Sequence, residues 1–446
     1  MSGVKQRVGL VFFPAFDWAI SPDHPEREER LLYTRDQLVE EGLLDMPGII
    51  EYRPEIASEI DIERVHACIP TVKSVATKSH LVAAGGTITA AKAVMNKEVE
   101  KAFALLRPPG HHSMRIVHGS RGFCAINNEA IMIEYLRHTY NNRLRVAVVD
   151  TDAHHADGSQ DIYYNDPDIL HLCIHQDGRT IYPGTGDVTE LGGPGGYGYT
   201  LNVPLPPGSG DNELLYVVEN LALPVIRDFQ PDLVINAAGQ DNHYSDPLTD
   251  MKVTAGGYAR LTEILNPDLV VLEGGYSIEG ALPYVNVGII LALAGLDYTK
   301  VKEPDRTPGF RVNPEVNEAV RKNVAFLQDI WNKRRDIDLD RVFGNSRTFQ
   351  RQRVIYYDTD QIREDQFEQI RRCPDCSGFR LIFSAARHYN GREKRIALII
   401  IPWHSCSQCR QEGENLFDRL QNQEELDLVY IQDNDRDSYL VRPGSK

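Results

Sequence analysis

The residues best suited to chemistry in this 446-residue chain lie in the run Asp150-Thr151-Asp152-Ala153-His154-His155-Ala156-Asp157-Gly158, directly after the apolar stretch Val146-Ala147-Val148-Val149. Asp152 and His154, two positions apart at the end of an expected strand, can present a carboxylate oxygen and an imidazole nitrogen to one metal ion. Asp241, in Ala238-Gly239-Gln240-Asp241-Asn242-His243, again follows an apolar run and offers a third ligand. Catalytic zinc commonly takes three protein ligands and keeps one position open. Two carboxylates and a neutral imidazole would leave such a site near neutral, able to bind water and polarise an amide carbonyl. A two-metal site would need more carboxylates, and Asp241 is followed two residues on by His243 rather than by another aspartate, so one ion is expected. A single aspartate after a strand is most often a turn or a helix cap. Three ligands at this spacing favour the metal.

A base and an oxyanion donor can be read beside it. Arg107-Pro108-Pro109-Gly110 leads into His111 and His112, and Asp150 and Asp157 are acidic partners able to orient both rings. A carboxylate on one ring nitrogen fixes the tautomer and raises basicity at the other, which would make one histidine a general base. Without such partners the pair would be a surface feature. Glu273-Gly274-Gly275-Tyr276 sets a phenol after a flexible glycine pair, where its hydroxyl could donate to an oxyanion. Read alone, it is a turn with a core tyrosine.

Two further knuckles occur near the C-terminus, Cys373-Pro374-Asp375-Cys376 and Cys406-Ser407-Gln408-Cys409, with 29 residues between them. They read as one tetrahedral four-cysteine zinc site in a ribbon, the intervening chain forming a hairpin. A redox dithiol would normally show one such motif in a thioredoxin-like context. His404 is close enough in sequence to be a spare ligand. Cys68, Cys124 and Cys173 lie in apolar surroundings and are expected to pack.

The elements that must hold these residues repeat one plan. Segments 101–112, 145–158, 169–175, 233–243 and 268–276 each run from apolar to polar, and in four of them the polar residues include histidine or aspartate. In open α/β sheets ligands gather outside the carboxyl ends of the strands, so residues spread over about 170 positions can line one crevice. Amphipathic stretches at 26–41 and 86–104 alternate with these runs, the pattern of a mostly parallel sheet covered by helices. Residues 1–335 are expected to form this domain, with a loop over 300–311 and a closing helix over 313–334; 336–352 reads as a charged linker and 353–446 as a small zinc-binding domain. The net charge of -16 argues against a broad nucleic-acid surface. No apolar stretch is long enough to span a bilayer and the N-terminus lacks a secretory signal, so a soluble cytoplasmic protein is expected.

The motifs RPPGHH, GFCAINN (122–128), DTDAHHADG, YPGTGD (182–187), AAGQDNHYSDPL and LEGGY, in this order over residues 8–333, resemble the zinc-dependent histone deacetylase family, which includes class II-like bacterial deacetylases, acetylpolyamine amidohydrolases and acetoin-utilisation proteins. The resemblance implies the arginase/deacetylase fold, an eight-stranded parallel sheet flanked by helices. It makes Asp152, His154 and Asp241 the zinc ligands, His112 with Asp157 the general base and later acid, and His111 with Asp150 an electrostatic aid. Tyr276 would hold the oxyanion together with zinc. Phe123 and Tyr182 would wall an acyl-lysine tunnel floored by Gly122. Gln240 stands where the family often has phenylalanine, which predicts a more polar back of the pocket. Cys173 stands where a serine helps bind a structural potassium ion, which leaves K+ open. Asp246-Pro247-Leu248 lacks the mouth acid of polyamine-specific relatives, which leans toward acyl-lysine on a protein or peptide. A small acetylated amine is the alternative substrate, and an acyl-lysine binding protein the alternative class. The C-terminal domain would recruit a protein partner; homo-oligomerisation stays open.

Overall fold

The computed structural model describes residues 4–304 and 316–444. Nearly unbroken aliphatic runs form eight strands: β1 (Val8–Phe13), β2 (Ile49–Tyr52), β3 (Lys101–Leu106), β4 (Val146–Asp150), β5 (Ile169–Gln176), β6 (Thr200–Leu205), β7 (Leu233–Ala238) and β8 (Leu269–Leu272). Such runs suit strands covered on both faces. All pairings are parallel, in the order β2-β1-β3-β8-β7-β4-β5-β6. The five segments singled out in the sequence are therefore five neighbouring strands, β3, β8, β7, β4 and β5, and their carboxyl ends meet along one edge.

Alternate side chains enter opposite layers. On one face Val8 and Leu10 pack with Leu31 and Leu38 of α1 (Glu29–Glu40). On the other, Val11 joins Ala83 and Ala84 of α2 (Lys78–Met95) and Ile131 of α3 (Asn128–Thr139). The stretch 86–104, expected as one amphipathic element, divides into the second half of α2 and the start of β3. Helix α2 is buried around most of its circumference, so apolar periodicity does not mark its ends. A short helix, α4 (Asp157–Tyr163), follows β4; α5 (Ala255–Leu265) and α6 (Leu282–Leu293) flank β8. The closing helix is α7 (Glu318–Lys333), capped by Asn317 and buried through Val320, Val324, Leu327 and Trp331. Its expected first residues, 313–315, and most of the expected loop, 305–311, lie outside the described residues.

The stretch expected as a linker is largely structured. It carries a short helix (Leu339–Phe343) and the first residues of β9 (Thr348–Tyr357), which opens a second sheet. The sequence hid this strand because its inward residues include Arg351 and Arg353, whose guanidinium groups pair with buried Asp161. The sheet continues through β10 (Ile362–Arg371), β11 (Arg380–His388), β12 (Glu393–Ile401), β13 (Leu428–Asp433) and β14 (Ser438–Pro443), paired in sequence order. Only β12 and β13 are parallel, joined across α8 (Ser407–Leu420).

This sheet has a core of its own, with Ile399, Ile401 and Val429 against Phe417 and Leu420 of α8. Its other face lies on the first domain: Ile382, Ile396, Leu398 and Ile400 meet Ala67, Ile69 and Ile116, while Ile355, Tyr357 and Ile362 meet Met114. Buried polar contacts reinforce the seam, among them Arg380 to Asp161 at 3.1 Å and Trp403 Nε1 to Glu134 Oε2 at 2.7 Å. The turn between β9 and β10 is thereby held at the edge where the five strands end.

Candidate active site and a four-cysteine cluster

The loop after β3 is fixed before it delivers its histidines. Buried Arg107 donates to Glu26 Oε1 at 2.7 Å and to the carbonyls of Pro14 and Ala15. The Gly110 and His111 amides donate to Glu273 Oε2 at 2.9 and 3.1 Å, tying this loop to the one after β8. His111 Nδ1 then lies 3.1 Å from Asp150 Oδ2, and His112 Nδ1 lies 2.9 Å from Asp157 Oδ1. A carboxylate only accepts, so each ring donates from Nδ1 and His112 keeps Nε2 free to accept.

Asp152, His154 and Asp241 converge, with one ligand atom from each within 4.8 Å of the others. His154 Nδ1 is 3.1 Å from Asp152 Oδ1 and 2.9 Å from Asp241 Oδ2. Ligands at about 2.0–2.2 Å from a tetrahedral zinc would stand roughly 3.3–3.6 Å apart, so a small adjustment accommodates the ion. Backbone amides orient the carboxylates: Gly274 N donates to Asp152 Oδ2 and Ala153 N to Asp241 Oδ1, both at 2.8 Å. The glycines are required here. A Cβ on Gly274 would stand 2.6 Å from oxygens of both Asp152 and Asp241, and one on Gly239 would stand 2.0 Å from Asp152 Oδ2.

The charges fit a cation. Burial disfavours a charged His154, yet Asp241 and Asp152 outweigh it and push the imidazole up to about 10. Two carboxylates thus hold a proton where they could hold a metal ion. His111 is raised as well, burial again being outweighed by Asp152 and Asp150. His112 goes the other way, lowered to about 3 by burial and by the charge of His111, so it is neutral near pH 7. Arg121, which donates to Asp157 Oδ2 at 2.7 Å, keeps that carboxylate ionised despite its burial.

These groups open onto a cavity of about 410 Å³ lined by His111, His112, Asp152, His154, Gly274 and Tyr276 within, and by Thr180, Ile181, Leu248 and Asp358 toward the outside. Phe123 and Tyr182 line it between. Phe123 meets the edges of His24 and Tyr276 at centroid distances of 4.4 and 5.4 Å, and Tyr182 meets His112 at 5.2 Å. Gly122 sits at φ +51°, and a Cβ there would meet His112 Cδ2 at 2.4 Å and Tyr182 Cε1 at 2.9 Å. Tyr276 is 7% exposed, with its amide held by Asp246 Oδ2 at 2.7 Å and its ring 4.9 Å from the Arg30 guanidinium. A second concavity, about 560 Å³, lies on the second sheet beside Phe367, Phe383 and Leu426 and contains none of these residues.

One expectation changes and one stays open. Gln240 does not make the back of the cavity polar: it is fully buried behind it and donates to Asn286, which donates in turn to Thr34 Oγ1 at 2.9 Å. Its amide nitrogen is directed at Asn286 of α6 rather than into the cavity. Cys173 accepts from Ala156 N at 3.5 Å, and a soft thiol suits K+ less well than the hydroxyl the resemblance calls for. Arg121 and Asp358 went unread in the sequence. Arg121 borders the quoted GFCAINN motif, whereas nothing marks Asp358, more than two hundred residues away on another sheet.

The four cysteines also converge. Cys373 and Cys376 lie between β10 and β11, Cys406 caps α8 and Cys409 sits in its first turn; their sulfurs are all within 4.8 Å of one another. The β11–β12 hairpin fills the interval, as expected. The Cys373–Cys406 separation of 3.8 Å matches the roughly 3.8 Å edge of a tetrahedron with Zn–S near 2.3 Å. Gly378 N donates to Cys376 Sγ and Cys409 N to Cys406 Sγ, at 3.3 and 3.4 Å, which suits thiolates. His404 is not among them; its Nε2 lies 3.0 Å from the Asn142 carbonyl oxygen. Cys68, Cys124 and Cys173 are buried.

Comparisons with known proteins identify the family. The histone deacetylase domain pattern matches residues 68–286 and ends before the second sheet. A probable deacetylase of Archaeoglobus fulgidus is 44% identical over 312 residues, 64% of this chain and 85% of that protein. The acetoin utilization protein AcuC of Bacillus subtilis is 32% identical over 343 residues, 69% of this chain and 84% of that protein. The crystal structure of the HDA15 HD domain superposes with a TM-score of 0.64 at 27% identity, covering 73% of this chain and 94% of that one. The chain belongs to the histone deacetylase family and is a hydrolytic deacetylase with the arginase/deacetylase fold. Zinc is the family's usual metal. Among the described residues no helix is long and apolar enough to cross a membrane.

Proposed function

We propose that the chain removes an acetyl or related acyl group from lysine of a protein or peptide, with Asp152, His154 and Asp241 holding a catalytic Zn2+. The observation that carries this reading is the approach of three ligand atoms to within 4.8 Å beside the His112–Asp157 pair, in the wall of a cavity of about 410 Å³. When bound, the ion supplies Lewis acidity to the amide carbonyl and to a water. The remaining steps belong to side chains. His112, neutral and fixed by Asp157, takes a proton from the attacking water at Nε2 and returns it to the leaving amine. Arg121 keeps Asp157 ionised, so the imidazolium that forms is stabilised. His111, with Asp150, adds electrostatic support. The Tyr276 hydroxyl donates to the carbonyl oxygen as it becomes negative.

Phe123 and Tyr182 give the apolar stem of a lysyl chain two aromatic walls, and Gly122 leaves it room. An acetylated small amine is the second reading, favoured by the carboxylate of Asp358 at the outer end of the cavity. The four cysteines hold a structural Zn2+ that stabilises the second sheet. We place the catalytic unit at residues 1–335 and the second unit from Thr348 onward. Turnover of acetyl-lysine peptides and acetylated amines by wild type and His112→Ala tests the hydrolytic reading: no wild-type turnover of any of them would leave the pocket as a binding site for acyl-lysine.

A further inference from the structure

The second sheet reaches the mouth of the cavity through one residue. Asp358, in the turn after β9, lines the cavity and accepts from Gly122 N through Oδ1 at 2.9 Å. The turn is pinned on both sides: Tyr357 OH donates to the Ile116 carbonyl at 3.0 Å, and Ser120 N donates to Asp360 Oδ2 at 2.6 Å. Asp358 is half-buried, and among the described residues no salt bridge or second hydrogen bond uses it. Arg121, whose guanidinium lies over the Tyr182 ring of this wall, is paired with Asp157. His24, also near the mouth, is lowered by burial and so is neutral near pH 7. The other outer lining residues, Thr180, Ile181, Tyr182 and Leu248, carry no charge. One uncompensated carboxylate therefore stands at an otherwise uncharged entrance.

We infer that Asp358 is a specificity residue supplied by the second sheet, reading a positive charge that the substrate carries beyond the amide to be cleaved. The acylated nitrogen itself is neutral, so the cation must lie further along the molecule. It is either the free ammonium of an acylated polyamine or a lysine beside the acyl-lysine of a peptide. This assignment rests on the hydrolytic reading above, and it gives the added domain a role in substrate choice.

Two matched pairs test it: an N-acetyl diamine against its analogue with a hydroxyl in place of the ammonium, and an acetyl-lysine peptide with lysine against one with norleucine at the neighbouring position. Wild type should favour the charged member of at least one pair in kcat/KM, mainly through KM, and the responding pair identifies the source of the cation. Asp358→Asn keeps an acceptor for Gly122 N while removing the charge, and should lower the charged-to-neutral ratio about fivefold, as for a solvent-exposed ion pair. Raising the salt concentration should lower the wild-type ratio in the same direction. Asp360→Asn, altered on the other side of the turn, should keep the ratio. An unchanged ratio in Asp358→Asn, or equal loss on charged and neutral members in both variants, would overturn the assignment. If nothing is turned over, the hydrolytic reading fails by itself, and calorimetric binding of the same pairs still reads whether Asp358 distinguishes charge.

Discussion

The two ligand clusters of this molecule are built for opposite ends. Asp152, His154 and Asp241 border a cavity, offer three ligands and are ringed by groups that can move a proton or hold a charge: His112, His111, Tyr276 and Arg121. The four cysteines can fill every tetrahedral position of one ion, and backbone amides of Gly378 and Cys409 donate to two of their sulfurs. Three ligands beside a cavity suit a reacting ion, and four with amide donors suit an ion that only holds the chain. The difference is legible in geometry before any metal is considered.

That contrast sets the order of expected effects. Asp241→Ala should break the first cluster and lower kcat/KM by more than about 10³-fold, with one metal lost per chain. His112→Ala should keep the metal and reduce kcat by about 10²–10⁴-fold, because only the proton transfer is removed. Tyr276→Phe should cost about 10²–10³-fold in kcat, again at full metal content. The paired change Cys373→Ser with Cys376→Ser should remove the other metal and lower Tm by about 5–10 °C, while any activity that survives keeps its metal dependence. Equal effects of the cysteine and aspartate changes on chemistry would erase the distinction.

The smallest effect concerns the seam between the two sheets. Glu368 is buried, which alone would raise its carboxyl, but Arg351, Arg380 and Arg353 outweigh this and lower it to about 2. A depressed carboxyl adds stability above its unfolded value of about 4.5 and loses it as the pH falls toward 2. Asp161, against the same arginines, is shifted in the same direction. Thermal unfolding followed from pH 7 to pH 3 should therefore show Tm falling in the acid range, and less steeply in Glu368→Gln.

Much of the first domain was readable because parallel strands covered on both faces leave unbroken aliphatic runs, and each site residue follows such a run directly. The sheet order explains why residues 111 to 276 assemble: their strands are neighbours. The second sheet was harder to read. Arg351 and Arg353 point inward in β9, toward Asp161 of α4 beside the first sheet, so the strand looked like a charged linker. Gln240 was misplaced because sequence cannot say whether a side chain before a ligand faces the cavity or the helices behind it. Arg121 and Asp358 act through contacts at sequence separations of 36 and 236 residues, which no local pattern reports.

Metal content measured together with turnover of acylated amines, in wild type, Asp241→Ala and the Cys373/Cys376 double variant, tests the central claim most directly. Two zinc ions per wild-type chain are expected, with Asp241→Ala keeping one and losing turnover, and the cysteine variant keeping the other. Metal confined to the cysteines, with no turnover by wild type, would contradict it.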